Sequence, residues 1–275
     1  MIQLQLEKDT DLVEKFIDLK NQNNSLIYEI NLIKQLLLKE SKLDFKKYHF
    51  CPICGELSIF NSVKFGKTPR YYAQCPNCGS LERHRLVFFL FLNKYWDLLT
   101  NQNIKLLHFA PEDMFYDFFK KHSNIDYFPV DINPVKYDAK NILLRDLVNM
   151  EDIPYDDDEF DVIYNCHVLE HVPDDIKAMG ELYRVLKPDG VCIIMIPQFP
   201  YLEETLEKEE YNTPELRLKH YGQRDHLRKY GLDFKDRLES VGFNVQEVKT
   251  EDLVNFQVDI NLLRLTTDTI FICTK

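Results

Sequence analysis

Beyond residue 104 the chain alternates between short apolar runs and amphipathic stretches. The runs 105–109 (KLLHF), 127–131 (YFPVD), 160–164 (FDVIY) and 191–196 (VCIIMI) have the length of buried strands, and helix-like segments separate them. Strand and helix in strict alternation predict an α/β fold with a mostly parallel sheet covered on both faces. Residues 267–274 read as a terminal strand and 233–241 as the helix before it. Leu182, Val185 and Leu186 read as core positions of a helix, whereas Asp156, Asp157, Asp158 and Glu159 read as a solvated turn.

The first 47 residues follow a different rhythm. Leu26, Ile30, Ile33 and Leu37 share one helical face, as do Val13, Phe16 and Ile17, which predicts one or two amphipathic helices. These helices either pack on their own domain or pair two copies into a homodimer. Residues 48–85 form a separate small module, and 86–99 reads as a Phe-rich apolar helix. The expected organisation is therefore an N-terminal helical segment (1–47), a small module (48–85) and a sheet domain (86–275) with an insertion at about 198–232.

Composition narrows the class. The 275 residues are 45% hydrophobic, enough for a sizeable core, and carry a net charge of −11. That balance weighs against a protein whose main task is to grip phosphate backbones. No apolar run approaches the roughly 18–20 residues needed to cross a bilayer, and the N-terminus lacks the basic-then-apolar order of a signal peptide, so no membrane span and a cytoplasmic location are expected. Only 8 glycines occur, none between Ser80 and Met179, so a nucleotide-like ligand bound there is held without a glycine-rich loop.

Seven cysteines divide into four and three. Cys51, Cys54, Cys75 and Cys78 form two C-x2-C pairs, each followed by glycine (Gly55, Gly79), while Cys166, Cys192 and Cys273 stand singly in apolar strands as small core residues. Two such turns bring four thiolates together as a tetrahedral Zn2+ site, and two disulfides are the alternative in an oxidising compartment. Four thiolates leave no open coordination position, so the Zn2+ is structural.

In an open parallel sheet, ligands lie beyond the carboxyl ends of the strands. Those positions hold His108-Phe109-Ala110-Pro111-Glu112 after the first run, Asp131 followed by Ile132 after the second, Asp146-Leu147 further on, and Asn165-Cys166-His167 after the FDVIY run. With its preceding RDL, the stretch DIPYDDDEFDVIYNCHVLEHVPDDIKAMGELYRVLKPDGVCIIMIP resembles the class I S-adenosylmethionine-dependent methyltransferases, specifically their type 11 group. The resemblance runs from about Lys105 to Lys275 and rests on several motifs in the right order. It implies a Rossmann-like sheet whose last strand is antiparallel, with S-adenosylmethionine as cofactor. By position it also implies that Asp131 accepts from the ribose hydroxyls, that Asp146 and Leu147 meet the adenine, and that Asn165 and His167 lie near the methionine half. Where the family has an acidic, glycine-rich D-x-G-x-G-x-G turn, this chain has His108, Ala110 and Glu112; Ala110 preserves some backbone approach and Glu112 is placed to receive the cofactor's ammonium group. A subset with paired CP-x-CG knuckles, an HFAPE element and a later GQ-DH-R-YG-DF segment is similar to this chain in all three respects.

The insertion gathers Arg217, His220, Gln223, Arg224, Asp225, His226 and Arg228 within a dozen positions around two glycines, a mixture suited to covering an acceptor. The arginines point to phosphate or carboxylate on that acceptor, and His226, His167 and His171 are the candidate bases for an oxygen nucleophile. The leading expectation is O-methylation of a small anionic molecule, such as a sugar, sugar nucleotide or phosphorylated intermediate of surface polysaccharide synthesis. Two alternatives stay open. One is an RNA methyltransferase, with Lys64, Lys67, Arg70, Arg83 and Arg85 touching phosphate; the other is a non-catalytic interaction module built on the zinc-binding segment.

Overall fold

The computed structural model describes residues 47–65, 68–138, 140–253, 260–266 and 268–275. The helices expected over 1–47, and the homodimer expected through them, lie outside the described residues, as does Lys67. The described chain forms two compact units, one drawn from 47–63, 70–89 and 260–266 and the other holding the remaining residues.

The smaller unit contains the cysteine pairs. Strands β1 (Tyr48–Phe50) and β2 (Leu57–Ile59) pair antiparallel around the first knuckle, with Phe50 opposite Leu57. Strands β3 (Asn61–Phe65) and β4 (Thr68–Gln74) form the hairpin between the knuckles, and α1 (Glu82–Leu90) follows the second. The two knuckles fold alike: Gly55 N donates to Cys51 O at 2.8 Å and Gly79 N to Cys75 O at 3.0 Å. Both glycines take positive φ (72° and 73°), which a side chain would oppose. Arg85 is fully buried, with Nε donating to Leu263 O, Nη1 to Ser80 O, and Nη2 to Ala73 O and Arg264 O at 2.7–3.0 Å. His49 Nδ1 lies 2.9 Å from Asn261 O, so a segment two hundred residues downstream completes this unit.

The larger unit is a seven-stranded sheet in the order β10-β11-β9-β8-β5-β6-β7. Its strands are β5 (Ile104–Phe109), β6 (Ile125–Asp131), β7 (Asp146–Leu147), β8 (Phe160–Cys166), β9 (Leu186–Met195), β10 (Asn244–Val248) and β11 (Ile270–Thr274). Strands β5 to β9 are mutually parallel, and β11 runs antiparallel between β9 and β10, which is the Rossmann-like architecture expected for a methyltransferase sheet. Central strands are buried on both faces, so their sequences are continuous apolar runs without alternation.

The helix α4 (Asp175–Val185) begins where the Asp174 side chain accepts from Lys177 N at 2.9 Å, and it buries Ala178, Met179, Leu182 and Val185. Leu186, expected on that helix, is instead the first residue of β9; it is buried all the same. The apolar helix expected over 86–99 is interrupted by a π-helical turn, Phe91–Tyr95, before α2 (Trp96–Asn101). The turn keeps Phe91 in the core, 5.6 Å from the Phe115 and Phe119 rings and 5.8 Å from Tyr164. α3 (Asp113–Lys120) follows β5, and α5 (Pro214–His220) and α6 (Phe234–Ser240) flank the second half of the insertion.

Candidate functional site

Strand order reverses at β5, whose neighbours β6 and β8 lead the chain in opposite directions, and the crevice beyond such a point is where open α/β sheets take their ligands. A cavity of about 430 Å³ lies there. Its wall combines the end of β5 (Phe109, Ala110), the end of β6 (Asp131, Ile132, Asn133), the loop after β7 (Val148, Asn149, Met150, Glu151), and the turn after β8 (His167, Val168, His171) together with Asp225.

Asp131 is buried to 5% exposure and held in a fixed pose. Its Oδ1 accepts from Asn133 N at 2.9 Å and Oδ2 from the Tyr137 hydroxyl at 2.8 Å, with Lys136 Nζ 3.6 Å away. Burial, reinforced by Asp131, pushes the Tyr137 hydroxyl well above its ordinary value, so the tyrosine stays a donor. Two residues of the wall, Ala110 (φ 52°) and His167 (φ 58°), take the left-handed conformation that only glycine adopts without cost. Such local strain concentrates at ligand sites.

Several expected site residues lie elsewhere. Asp146 and Leu147 are exposed and do not reach the cavity: Asp146 pairs with Val130 across the parallel ladder, and its Oδ2 accepts from the Tyr155 hydroxyl at 2.6 Å. Their place in the wall is taken by Asn149 and Met150, three residues on. His108 is fully buried beneath the crevice, with Nε2 2.9 Å from Glu112 Oε2 and Nδ1 2.8 Å from Tyr127 Oη. A carboxylate only accepts, so Nε2–H donates to Glu112 and Nδ1 accepts from the tyrosine. The Tyr164 hydroxyl stands 3.4 Å from the other Glu112 oxygen, so Glu112 is turned into the protein and away from the cavity.

The insertion residues separate just as clearly. Arg228 is 1% exposed, and all five guanidinium donor positions are occupied. Nε and Nη2 reach Glu207 at 3.0 and 2.6 Å, Nη1 reaches Leu169 O and Val172 O at 3.0 and 2.5 Å, and Nη2 also reaches Pro173 O at 2.8 Å. It therefore has no donor left for an acceptor. Arg224 pairs with Glu215 on the exposed surface, and His220 stacks on Tyr211 at 3.8 Å. Arg217 and Gln223 are half-buried, and neither reaches the cavity; of the substrate candidates only Asp225 does.

The turn after β8 carries an unusual concentration of unmet polar atoms. Among the described residues of the larger unit, buried side-chain atoms without a hydrogen-bond partner occur on Asn165 (Nδ2, Oδ1), His167 (Nε2), Glu170 (Oε1, Oε2), Arg217 (Nε) and His226 (Nδ1). Asn165 is fully buried at the end of β8 and is not part of the wall. Glu170 lies with Oε1 3.2 Å from His167 Nδ1. Burial pushes the Glu170 carboxyl up, but the contact and charge of His167, with the charge of His171, outweigh it and hold the group below its usual value. His226 stands behind the wall, its ring edge-on to His171 at 4.8 Å, and burial pulls its basicity down. His167 and His171 are thus the imidazoles that reach the cavity, and His226 does not.

In the smaller unit the four knuckle thiols converge, with Cys51 Sγ 3.6 Å from Cys78 Sγ and Cys54 Sγ 3.6 Å from Cys75 Sγ. Sulfurs about 2.3 Å from a shared tetrahedral ion stand about 3.75 Å apart, so the donor set fits a divalent cation. Hydrogen bonds from the other three thiols depress Cys51, and the hydrogen bond to Cys51, with burial, drives Cys54, Cys75 and Cys78 upward, so four thiolates together need such a cation.

Residues 114–194 match the family described as a methyltransferase domain. The ubiquinone/menaquinone biosynthesis C-methyltransferase UbiE of Vibrio parahaemolyticus is 42% identical over 55 residues, covering 20% of this chain and 21% of that protein. A probable S-adenosylmethionine-dependent methyltransferase of Mycolicibacterium smegmatis is 28% identical over 85 residues, covering 31% and 33%. The chain thus spans between 18% and 33% of the length of the curated relatives it matches. Among solved structures, a SAM-dependent methyltransferase from Archaeoglobus fulgidus is similar with a TM-score of 0.43 and 16% identity, covering 69% of this chain and 93% of that one. Among the described residues no helix is long and apolar enough to cross a membrane.

Proposed function

We propose that this chain is an S-adenosylmethionine-dependent methyltransferase acting on a hydroxyl of a small acceptor, with a structural Zn2+ held by Cys51, Cys54, Cys75 and Cys78. The observation that carries the reading is the cavity of about 430 Å³ at the reversal of strand order, with the buried Asp131 carboxylate fixed in its wall. Asp131 would accept from the ribose hydroxyls, Val148, Asn149 and Met150 would flank the adenine in place of Asp146 and Leu147, and the small Ala110 allows close backbone approach. Bound S-adenosylmethionine supplies a methyl group already activated by its sulfonium.

The remaining work falls to alignment and to one proton. Orientation of reacting groups is worth about 7–11 kcal/mol at best. His167 lines the cavity with Nδ1 toward Glu170, and its ring is the one we place to receive the acceptor's proton. The arginines that motivated an anionic acceptor do not support it, because Arg228 is spent on the protein and Arg224 is paired at the surface. A surface-polysaccharide precursor, which rested on the insertion's arginines and histidines and on the acidic composition, thus loses its main support. RNA as acceptor is disfavoured too, since Arg85 is buried and Arg70 stands 3.4 Å from Glu82.

Calorimetric titration of S-adenosylmethionine into the full chain tests the reading. Saturable binding that weakens at least tenfold in Asp131→Ala is expected. No binding to the wild-type protein, or equal binding to the variant, overturns it.

A further inference from the structure

We propose that Glu170, His171 and His226 bind one divalent transition-metal ion beside the cavity, at a site separate from the four cysteines. One ligand atom from each of the three residues lies within 4.8 Å of the others. An ion at about 2.1 Å from each draws them to about 3.4 Å, a change within reach of side-chain rotation.

The state of the ligand atoms supports the assignment independently of their proximity. Glu170 is fully buried: its Oε1 pairs with His167 Nδ1 at 3.2 Å, while Oε2 is buried without a hydrogen-bond partner. His226 is 4% exposed, and its Nδ1 is buried without a partner. A buried acceptor without a partner is costly, so Glu170 Oε2 and His226 Nδ1, both unpartnered within one cluster, mark a place where something else binds. His171 is already oriented: its Nδ1 stands 3.3 Å from Asp225 O and 3.4 Å from Asp225 Oδ2, which leaves Nε2 for an ion. A metal-ligating histidine whose second nitrogen meets a carboxylate or carbonyl is a common arrangement.

The ligands come from two segments that the fold binds together. Leu227 N donates to Glu170 O at 2.8 Å, and Arg228 ties the same segment to the carbonyls of Leu169, Val172 and Pro173. Such a main-chain clamp fixes the ligand positions in advance. Two imidazole nitrogens and one carboxylate suit Zn2+, Co2+, Fe2+ or Mn2+, whereas Mg2+ and Ca2+ favour oxygen-only sites. Three protein ligands leave at least one coordination position open, and His171 belongs to the cavity wall, so an acceptor oxygen can occupy it. That last step rests on the methyl-transfer reading; metal binding does not.

The test counts metal. Wild-type protein, Glu170→Gln and His226→Gln are saturated with Zn2+, passed through gel filtration and analysed for bound metal. Wild type should retain two equivalents and each variant one. Co2+ filling the equivalent the variants lose should give ligand-field absorption without thiolate charge transfer. Equal metal content in wild type and His226→Gln, or a lost equivalent with thiolate bands, overturns the proposal. If Glu170→Gln fails to fold, His226→Gln decides alone. Because S-adenosylmethionine binding is measured separately, failure here and failure of the methyl-transfer reading are distinguishable.

Discussion

Arg228 separates two accounts of the insertion, because an acceptor ligand and a structural clamp fail differently when removed. In Arg228→Ala the carbonyls of Val172 and Pro173 lose this donor inside the protein, while Leu169 O keeps the Tyr230 hydroxyl at 3.1 Å. Asp175 does not become unpaired, since it keeps the Tyr230 hydroxyl at 2.9 Å and Arg237 at 2.6 Å. Glu207, whose side chain is 41% exposed, regains water, so that arm contributes little. Two carbonyls left without this donor, at about 1–3 kcal/mol each, with the lost packing of a fully buried side chain, together cost about 3–5 kcal/mol. Against a total stability of about 5–15 kcal/mol that is a large fraction, equivalent to a fall in Tm of about 6–20 °C for a domain of this size. Arg228→Lys retains the charge but not the planar fork and should fall about midway. Urea denaturation followed by circular dichroism, with the slope held constant, measures both. An unchanged midpoint in Arg228→Ala alongside a raised KM for the acceptor would refute the clamp and restore Arg228 to the acceptor.

Ala110→Gly should behave unlike most alanine-to-glycine changes. At φ 52° the left-handed backbone costs alanine about 1–2 kcal/mol, while glycine loses about 0.4–1 kcal/mol through the unfolded chain, so stability should stay level or rise by up to about 1.6 kcal/mol. A fall of more than 1 kcal/mol in the same urea assay would contradict that balance. The Glu181 carboxyl is held below its usual value by its hydrogen bonds with Arg184 and by Ile153 N. A depressed folded value means its contribution is present above the unfolded value near about pH 4.3 and is lost as pH falls through the folded one. The stability gap between wild type and Glu181→Gln should therefore be full at pH 6 and shrink from about pH 4 downward; a gap independent of pH excludes this role.

The strands were legible because buried parallel strands leave an uninterrupted apolar run, and the knuckles because their spacing is stereochemically restrictive. Asp131 was legible for a similar reason, as it ends a strand beside the reversal of order. The burial of Arg228 and Arg85 has no local signal, because main-chain carbonyls from distant segments enclose them. The resemblance points to Asp146 and Leu147 through its Asp-Leu step, whereas the loop after the two-residue β7 delivers Asn149 and Met150 to the cavity. Gly231, within the GQ-DH-R-YG-DF segment, leaves no room for a side chain, since a Cβ there would stand 2.6 Å from the Glu204 carbonyl carbon and 2.8 Å from Leu202 O. The return of 260–266 to the cysteine unit is likewise a tertiary fact.

A glycine-free first turn loses two things that glycines supply: conformational freedom and backbone exposure. Here the freedom is needed at one position, and Ala110 adopts the left-handed conformation there with its N–H spent on Val130 O at 2.9 Å. Glycine-rich turns also need external restraint, and in this chain the residues on either side provide it. His108 joins the strand end to Glu112, the residue preceding α3, and to Tyr127 on β6, while Tyr164 on β8 closes on Glu112 from the other side. The turn is thus pinned to both neighbouring strands beneath the cavity. A pinned turn loses little entropy when a ligand arrives, which offsets the tighter backbone approach that glycine would have allowed. His108 and Glu112 thus make the turn rigid, and Asp131, Glu151 and Asp225 are carboxylates that line the cavity above it.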